Sequence, residues 1–406
     1  MNSSKKLGFY RTTTVKRAFI MLAVDILGYV LLFPYVVFRR KKGMTFDPQK
    51  ATRIAVFRLD GIGDLIMSEP ALKALRAVFP NAHICLFVNK WTDSIAELFS
   101  GHDEIMQLDA PMFNAFKGKL DWSDVLKERR VIRRLGRSQP FDFAIDLRGD
   151  ILSIITAYWL GAQWLVSRAS RAGGFLLTNV IRQLEEGNIS ESKLNQNFVG
   201  HLSGSKIKHE KAVLKLLPES RKQEFLNKFL MQTGKDYICL VVAAPYEARC
   251  YPVDKWVEVI ELIRREYNGP IVILGAEEDF ERCESVVCRA GKNVYNVAGK
   301  FSLMESVNCI AGARVLIGND GGLIHIASAV NLPVVQLFGP ADSVCFGHHG
   351  KHEHVIHKEC PYNPCNETHC RIPQNWCMDR ITPEEIFETA LPYLRVSKRL
   401  TNKGER

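Results

Sequence analysis

Short apolar runs separated by amphipathic stretches recur along most of the chain. A β-rich run at 53–59 precedes a glycine turn, a stretch with helical spacing at 65–79 and a second apolar run at 83–88. This order of strand, loop, helix and strand is the building unit of a doubly wound parallel sheet. A further buried-strand pattern occupies residues 141–147.

A second series of the same kind begins at residue 237. Apolar runs alternate here with stretches of helical spacing. The strand patterns cover 237–245, 270–276, 314–320 and 333–339, and the helices lie near 254–267, 278–290, 303–311 and 322–330. The chain therefore predicts an α/β protein with two Rossmann-like domains and a boundary near 220–235. We assign residues 46–230 to the first domain and 231–406 to the second.

One apolar run, at residues 18–38, differs from all the others in length. Its 21 residues are just long enough for a bilayer core of roughly 30 Å. Asp25, Gly28 and Pro34 weaken it as a simple span, and basic residues follow where a signal peptide would have a cleavage site. We expect residues 1–45 to associate with a membrane, either as one spanning helix or as a helix broken at Pro34.

The net charge of +10 comes mainly from the same segment. Asp25 is the only acid among the first 42 residues, against nine cations: Lys5, Lys6, Arg11, Lys16, Arg17, Arg39, Arg40, Lys41 and Lys42. The rest of the chain is nearly neutral, at about +2, whereas a nucleic-acid binder carries its basic residues on the folded domain. The pattern favours an anionic membrane surface as partner and disfavours nucleic acid.

The first loop with candidate chemistry is Asp60-Gly61-Ile62-Gly63-Asp64. Gly61 and Gly63 allow tight backbone geometry or the close approach of a ligand. Asp64 opens the following helix, either as an ordinary capping residue or as a functional carboxylate. The loop lacks both the Lys-Ser/Thr pair of a Walker A phosphate-binding loop and the third glycine of a dinucleotide-binding site.

The second loop, Gly318 to Gly322, leads into an apolar helix. The N–H groups of Gly321, Gly322 and Leu323 would point out of the helix start, which suits a diphosphate. Sugar hydroxyls are the natural partner of Asp320. His325, one turn further, is either a buried core residue or part of the site.

Two long segments resemble the signatures of glycosyltransferase family 9, the ADP-heptose:lipopolysaccharide heptosyltransferases. RIAVFRLDGIGDLIMSEPALKALRAVFPNA is similar to the amino-terminal signature, and VLIGNDGGLIHIASAVNLPVVQLFGPAD to the carboxy-terminal one. FDFAIDLRGD and RCYPVDKW resemble two weaker blocks, so the resemblance spans roughly residues 52–392. It implies a GT-B architecture, with two Rossmann-like domains facing across a cleft that holds the active site.

The resemblance also implies roles for individual residues. Asp64 matches the catalytic base, Arg249 a cation that contacts the donor phosphates, and Asp320 the residue that contacts the donor sugar. Arg249 and Tyr251 depart from the Lys and Trp of many members, and Gly321 stands where a Ser or Thr is common. Gly322 and Leu323 complete the diphosphate site, with His325 close by.

The function implied is an inverting, metal-independent transfer of a sugar from a nucleotide-sugar, with heptose from ADP-heptose as the expected donor. The expected acceptor is a lipopolysaccharide-type or other lipid-linked glycan, at the cytoplasmic face of the inner membrane. Another GT-B chemistry, as a transferase or epimerase using a different nucleotide-sugar, stays open. So does a non-catalytic scaffold tethered to the membrane.

Four of the eleven cysteines lie close together near the carboxyl end, at Cys360, Cys365, Cys370 and Cys377. Their spacing is looser than that of common zinc sites, and a cytosolic domain disfavours disulfides. Structural zinc and disulfides stay open, but we expect free thiols and no cofactor.

Overall fold

The structure is a computed structural model, which describes residues 15–44, 50–113, 121–181, 189–216, 224–234 and 236–395. Gaps within the last range lie at 363, 366–367, 371 and 373–375. The chain divides into two compact units, Met1–Ala212 and Val213–Arg406.

The division lies before the stretch 220–235 where the sequence places the boundary. The N–H of Leu214 already donates to the carbonyl of Ala329 in the second unit. The aromatic ring of Phe229 packs edge-on against Tyr295 and Phe301 of that unit. The described residues 213–216 and 224–230 therefore belong with the second sheet, because the partners of Leu214 and Phe229 lie there.

The first unit holds a six-stranded parallel sheet. Its strands are β1 (Arg53–Arg58), β2 (His83–Asn89), β3 (Glu104–Leu108), β4 (Phe143–Asp146), β5 (Trp164–Ser167) and β6 (Asn179–Val180). Its helices are α1 (Val15–Leu31), α2 (Phe33–Met44), α3 (Ile62–Ile66), α4 (Glu69–Val78), α5 (Asp93–Ala96), α6 (Trp122–Ser138), α7 (Ile151–Trp159) and α8 (Glu191–Ser203). The strand order β3-β2-β1-β4-β5-β6 reverses direction between β1 and β4, where ligands bind in folds of this kind.

The second unit repeats this order as β12-β11-β10-β7-β8-β9, again all parallel. Its strands are β7 (Ile238–Val241), β8 (Ile271–Ile273), β9 (Val294–Asn296), β10 (Leu316–Asn319), β11 (Val334–Phe338) and β12 (Glu353–His357). Its helices are α9 (Glu224–Thr233), α10 (Val253–Arg264), α11 (Phe280–Ala290), α12 (Leu303–Gly312), α13 (Gly322–Ala329), α14 (Ser343–Phe346), α15 (Trp376–Asp379) and α16 (Pro383–Arg395). The switch point here lies between β7 and β10.

The core of each unit lies on the faces of its sheet. In the first unit Phe57 stacks on Phe87 with ring centroids 4.3 Å apart. In the second, the fully buried Trp256 packs edge-on against Tyr251 at 5.4 Å. Central strands buried on both faces explain the near-continuous apolar runs in the sequence.

The helix predicted over 65–79 is two helices, α3 and α4. Pro70 lies in the first turn of α4, where its missing N–H costs nothing. In the interior of a single longer helix the same proline would remove a hydrogen bond and clash with the preceding turn. The chain therefore breaks at Met67 and Ser68.

The N-terminal apolar segment is also broken. None of the described helices is long and apolar enough to cross a membrane alone. The segments Ala18–Leu31 and Phe33–Lys41 pass such a test only as a pair, and they meet at 82°. Pro34 near the start of α2 accounts for the break at Leu32. A single spanning helix is therefore not confirmed, the segment is broken near Pro34 as the alternative expects, and its association with a membrane stays a prediction.

Candidate active site

The loop after β1 places Asp64 in the first turn of α3. Gly61 is the N-cap, and no side chain caps this helix end. Asp64 is therefore not a capping residue; its carboxylate instead lies 3.4 Å from the Arg58 guanidinium. Gly61 has φ of −72°, which any residue adopts, and a Cβ there would meet only Trp91, at 3.9 Å. Gly61 therefore leaves free space beside the loop, and its backbone conformation does not itself require glycine.

Arg58 is the centre of a buried charge cluster. Its side chain is only 2% exposed, and Nε lies 3.1 Å from Asp60. Nη1 donates to the carbonyl of Leu147 at 2.8 Å and lies 3.8 Å from Glu191 at the start of α8. A buried cation needs such partners, and this one fixes three carboxylates at the carboxyl end of β1.

A second arginine joins the loops after β1 and β4. Arg148 lies 2.8 Å from Asp60, donates to the carbonyl of Leu59 at 2.7 Å and pairs with Asp150. Asp150 in turn caps α7 through the N–H groups of Leu152 and Ser153. The two loops at the first switch point are thus held in one arrangement.

The surroundings of Asp64 raise its pKa. Burial of the carboxylate is the largest cause and the charge of Asp60 the next, so that the pKa rises from 3.8 to about 6 despite the opposing charge of Arg58. The side chain nevertheless keeps 39% of its surface exposed. Asp64 is therefore the carboxylate of this cluster that is most accessible to a substrate, and its pKa lies near neutrality.

In the second unit, the residues predicted to bind the donor come together at the other switch point. Arg249 follows β7 and Asp320 follows β10, and Nη1 of Arg249 lies 3.0 Å from Oδ2 of Asp320. The guanidinium also lies 5.4 Å over the ring of Tyr246. Because Asp320 is almost wholly buried while Arg249 is partly exposed, the carboxylate fixes the direction of the guanidinium.

Helix α13 begins just after Asp320, at Gly322. Gly321 is its N-cap, and the first N–H groups of a helix have no partner within it. Those of Gly322 and Leu323 therefore mark the positive end of an eight-residue helix. This agrees with the anion site predicted from the sequence, which stays a prediction for Gly321, Gly322 and Leu323.

His325 lies inside α13 and is 4% exposed. Its Nδ1 lies 2.8 Å from Nε2 of His348. Burial, reinforced by the charge of Arg249, lowers its pKa to about 4, so His325 is neutral at physiological pH. His325 is thus a buried, neutral residue near Arg249, and its part in the site stays a prediction.

Several site residues were missed by sequence reasoning. Arg58 closes strand β1, and Asp60, Arg148 and Asp150 lie in the loops that follow β1 and β4. For the three loop residues the place after a strand is a signal that the sequence carried, whereas nothing in the sequence shows that Arg58 is buried. Asn319 at the end of β10 is a further residue that the sequence reasoning missed. Its Oδ1 accepts the N–H of Tyr251 at 3.1 Å and holds the Arg249 loop against β10.

The four clustered cysteines are thiols, as are the other seven. Among the described residues, no three His, Cys, Asp or Glu side chains are grouped closely enough to hold a metal ion.

Comparison with known proteins gives one family match. Residues 128–375 match the model described as Glycosyltransferase family 9 (heptosyltransferase). The match covers more than half of the chain and includes the Arg148, Arg249 and Asp320 loops. It begins after the loop that carries Asp64.

Individual relatives agree with this match. Lipopolysaccharide heptosyltransferase 1 of Escherichia coli (strain K12) is 22% identical over 311 residues, covering 75% of this chain and 92% of that protein. The solved E. coli ADP-heptose LPS heptosyltransferase II has a TM-score of 0.68 at 20% identity, covering 84% of this chain and 98% of that one. The structure of E. coli heptosyltransferase WaaC with ADP-2-deoxy-2-fluoro heptose has a TM-score of 0.61 at 17% identity, covering 84% of this chain and 99% of that one. The expected α/β class is confirmed, and the structure gives each unit one parallel six-stranded sheet.

Proposed function

The chain belongs to glycosyltransferase family 9, and from this premise we propose that it transfers heptose from ADP-heptose to a lipopolysaccharide-type acceptor, with inversion at the anomeric carbon and Asp64 as general base. The names of the relatives support the sugar and the acceptor class. The ADP-2-deoxy-2-fluoro heptose of the WaaC structure supports the nucleotide. The observation that carries the base is the partly exposed Asp64 carboxylate at the first switch point.

The chemistry needs a base because a sugar hydroxyl ionises far above neutral pH. Asp64, with its pKa raised to about 6, is ionised at pH 7 and yet more basic than an ordinary aspartate. It takes the proton as the acceptor oxygen attacks the anomeric carbon and the bond to the diphosphate breaks. One direct displacement inverts the configuration, and it requires no second carboxylate as nucleophile.

The leaving ADP gathers negative charge in the transition state. Arg249, oriented by Asp320, supplies a guanidinium for the diphosphate. The N–H groups of Gly321, Gly322 and Leu323 supply further donors at a helix start. His325 in the same helix is neutral and adds no charge to this site.

A thermal-shift series with the full chain tests the donor. We expect stabilisation by ADP-heptose above that by other ADP-sugars, UDP-sugars and GDP-sugars. Transfer to a lipid-linked core acceptor should then release ADP and give a product of inverted anomeric configuration by NMR. Stabilisation by a different nucleotide-sugar would identify that compound as the donor instead of ADP-heptose. No stabilisation by any nucleotide-sugar would favour a non-catalytic scaffold.

A further inference from the structure

Helices α1 and α2 carry their apolar side chains on the outside. Val30 and Leu31 are each 68% exposed. The large apolar side chains exposed along the pair are Phe19, Ile20, Leu22, Ile26, Leu27, Val30, Leu31, Leu32, Phe33, Tyr35, Val37 and Phe38. So many exposed large apolar side chains on two successive helices mark an interaction surface rather than ordinary scatter.

The side of α1 that faces the first unit is polar or small. Asp25 is 8% exposed, and its carboxylate accepts the N–H of Gly173 at 2.8 Å. A Cβ on Gly28 would lie 2.3 Å from the ring of Phe175, so only a glycine permits this close approach. The ring of Tyr29 packs edge-on against Phe175 at 6.2 Å. The usual arrangement of a helix on a soluble protein is thus inverted.

Helix α2 is fixed to the same unit. The hydroxyl of Tyr35 lies 2.7 Å from that of Tyr158 in α7. Arg39 donates to Tyr35 at 2.9 Å, and its guanidinium lies 4.8 Å over the ring of Tyr158. Both helices are therefore part of the first unit and not an anchor on a tether.

We propose that α1 and α2 form a monotopic dock, which lies in the interface of an anionic lipid bilayer without crossing it. At 1.5 Å per residue, α1 is only about 25 Å long, and α2 leaves it at 82°. Asp25 stays on the protein side, so no carboxylate enters the hydrocarbon. The exposed apolar face enters the boundary of headgroups and acyl chains.

Charge decides between a lipid surface and a second copy of the chain. The first 42 residues hold nine cations and one acid, and that acid is turned into the protein. Two copies that met through this face would bring like charges together. Anionic headgroups provide the opposite sign along the whole segment.

Flotation of the full chain with lipid vesicles tests the dock. The chain should float with phosphatidylcholine vesicles that contain phosphatidylglycerol, and less with phosphatidylcholine alone. Val30→Asp should lower the bound fraction at least about tenfold without a change in unfolding temperature. Val131→Asp is the matched control, since Val131 is 61% exposed on α6 of the same unit; it should bind as the wild type does.

Asp25→Asn separates the dock from a helix buried in the bilayer. The dock predicts a lower unfolding temperature and unchanged vesicle binding, because Asp25 acts on Gly173. Stronger binding with an unchanged unfolding temperature would overturn it, since that is the behaviour of a carboxylate inside the membrane. Unchanged vesicle binding in Val30→Asp, or a dimer that this variant dissociates, would also overturn it.

Trypsin tests whether the pair crosses the membrane. In membranes whose catalytic units face the bulk solution, the dock leaves Lys5, Lys6 and Arg11 on the same side as those units, and trypsin should cleave there. An N-terminal fragment that becomes cleavable only after detergent would show a span and overturn the proposal. None of these measurements uses heptose transfer, so they succeed or fail apart from the proposed activity.

Discussion

Replacing Asp60 with asparagine should extend the activity of the enzyme to lower pH. Among the charged groups around Asp64, Asp60 raises its pKa the most. Asp60 also neutralises Arg58 and Arg148, at 3.1 and 2.8 Å. Asp60→Asn removes the repulsion and leaves both guanidinium groups more positive, and both effects favour the ionised form of Asp64.

The magnitude follows from the pKa of Asp64. At about 6 in the wild type, Asp64 is roughly one-tenth ionised at pH 5. In Asp60→Asn the pKa should fall from about 6 toward the ordinary 3.8. Once it lies below about 5, more than half of Asp64 is ionised at pH 5, and kcat/KM relative to its plateau rises roughly fivefold or more.

The assay is kcat/KM for heptose transfer from about pH 5 to 8 at constant ionic strength. Asp103→Asn is the control, because Asp103 also pairs with an arginine, Arg76, but lies directly before β3 and not in the loop after β1. Its carboxylate accepts the backbone N–H of Ile84. In this control the fall of kcat/KM toward low pH should coincide with that of the wild type. If the same fall in Asp60→Asn stays in place or moves to higher pH, the electrostatic reasoning is refuted.

Three further outcomes follow from the second unit. Arg249→Met should weaken ADP binding about ten- to a hundredfold by calorimetry, with Arg249→Lys between it and the wild type; equal affinity in all three would exclude a phosphate contact. His325 takes up a proton near pH 6.5 when unfolded but near 4 when folded, so stability is lost as pH falls through this window. His325→Gln should therefore lose about 2 kcal/mol less than the wild type in urea unfolding between pH 7 and 5, and equal losses would contradict a buried neutral imidazole. Trp256→Ala should cost about 3–5 kcal/mol in the same assay, whereas a loss below 1 kcal/mol would contradict its place in the core.

The two chemical loops were predictable because their signal is local. Each loop comes directly after an apolar run, at Gly61 to Asp64 in the first unit and Asp320 to Gly322 in the second. In a parallel sheet the carboxyl ends of the strands share one edge, so each loop is expected at that edge of its own sheet. The strands β3, β5, β6, β9 and β12 were missed. Of these, β6 and β9 have only two or three residues and β3 has few buried positions, so their patterns are weak.

The charge cluster around Arg58 could not be predicted in the same way. An arginine at the end of an apolar run gives no sign in the sequence of whether it is buried. Its partners come from the loop after β1, from Leu147 after β4 and from Glu191 in α8, far along the chain. Burial of the charge depends on all of them together, which is tertiary information.

The N-terminal segment shows the limit of composition. Its apolar length permits a span, and the nine cations give no indication of depth. What composition does not show is which side each residue faces. Asp25 faces Gly173, and Pro34 stands at the bend between the two helices.

The central claim is that Asp64 removes the acceptor proton, and Asp64→Asn tests it most directly. The amide has nearly the shape of the carboxylate and keeps an oxygen for Arg58, but it does not accept the proton. We expect single-turnover heptose transfer to fall roughly 10²- to 10⁴-fold, while the affinity for ADP-heptose, measured by calorimetry, stays within about twofold. Turnover near that of the wild type in Asp64→Asn would contradict the assignment of the base.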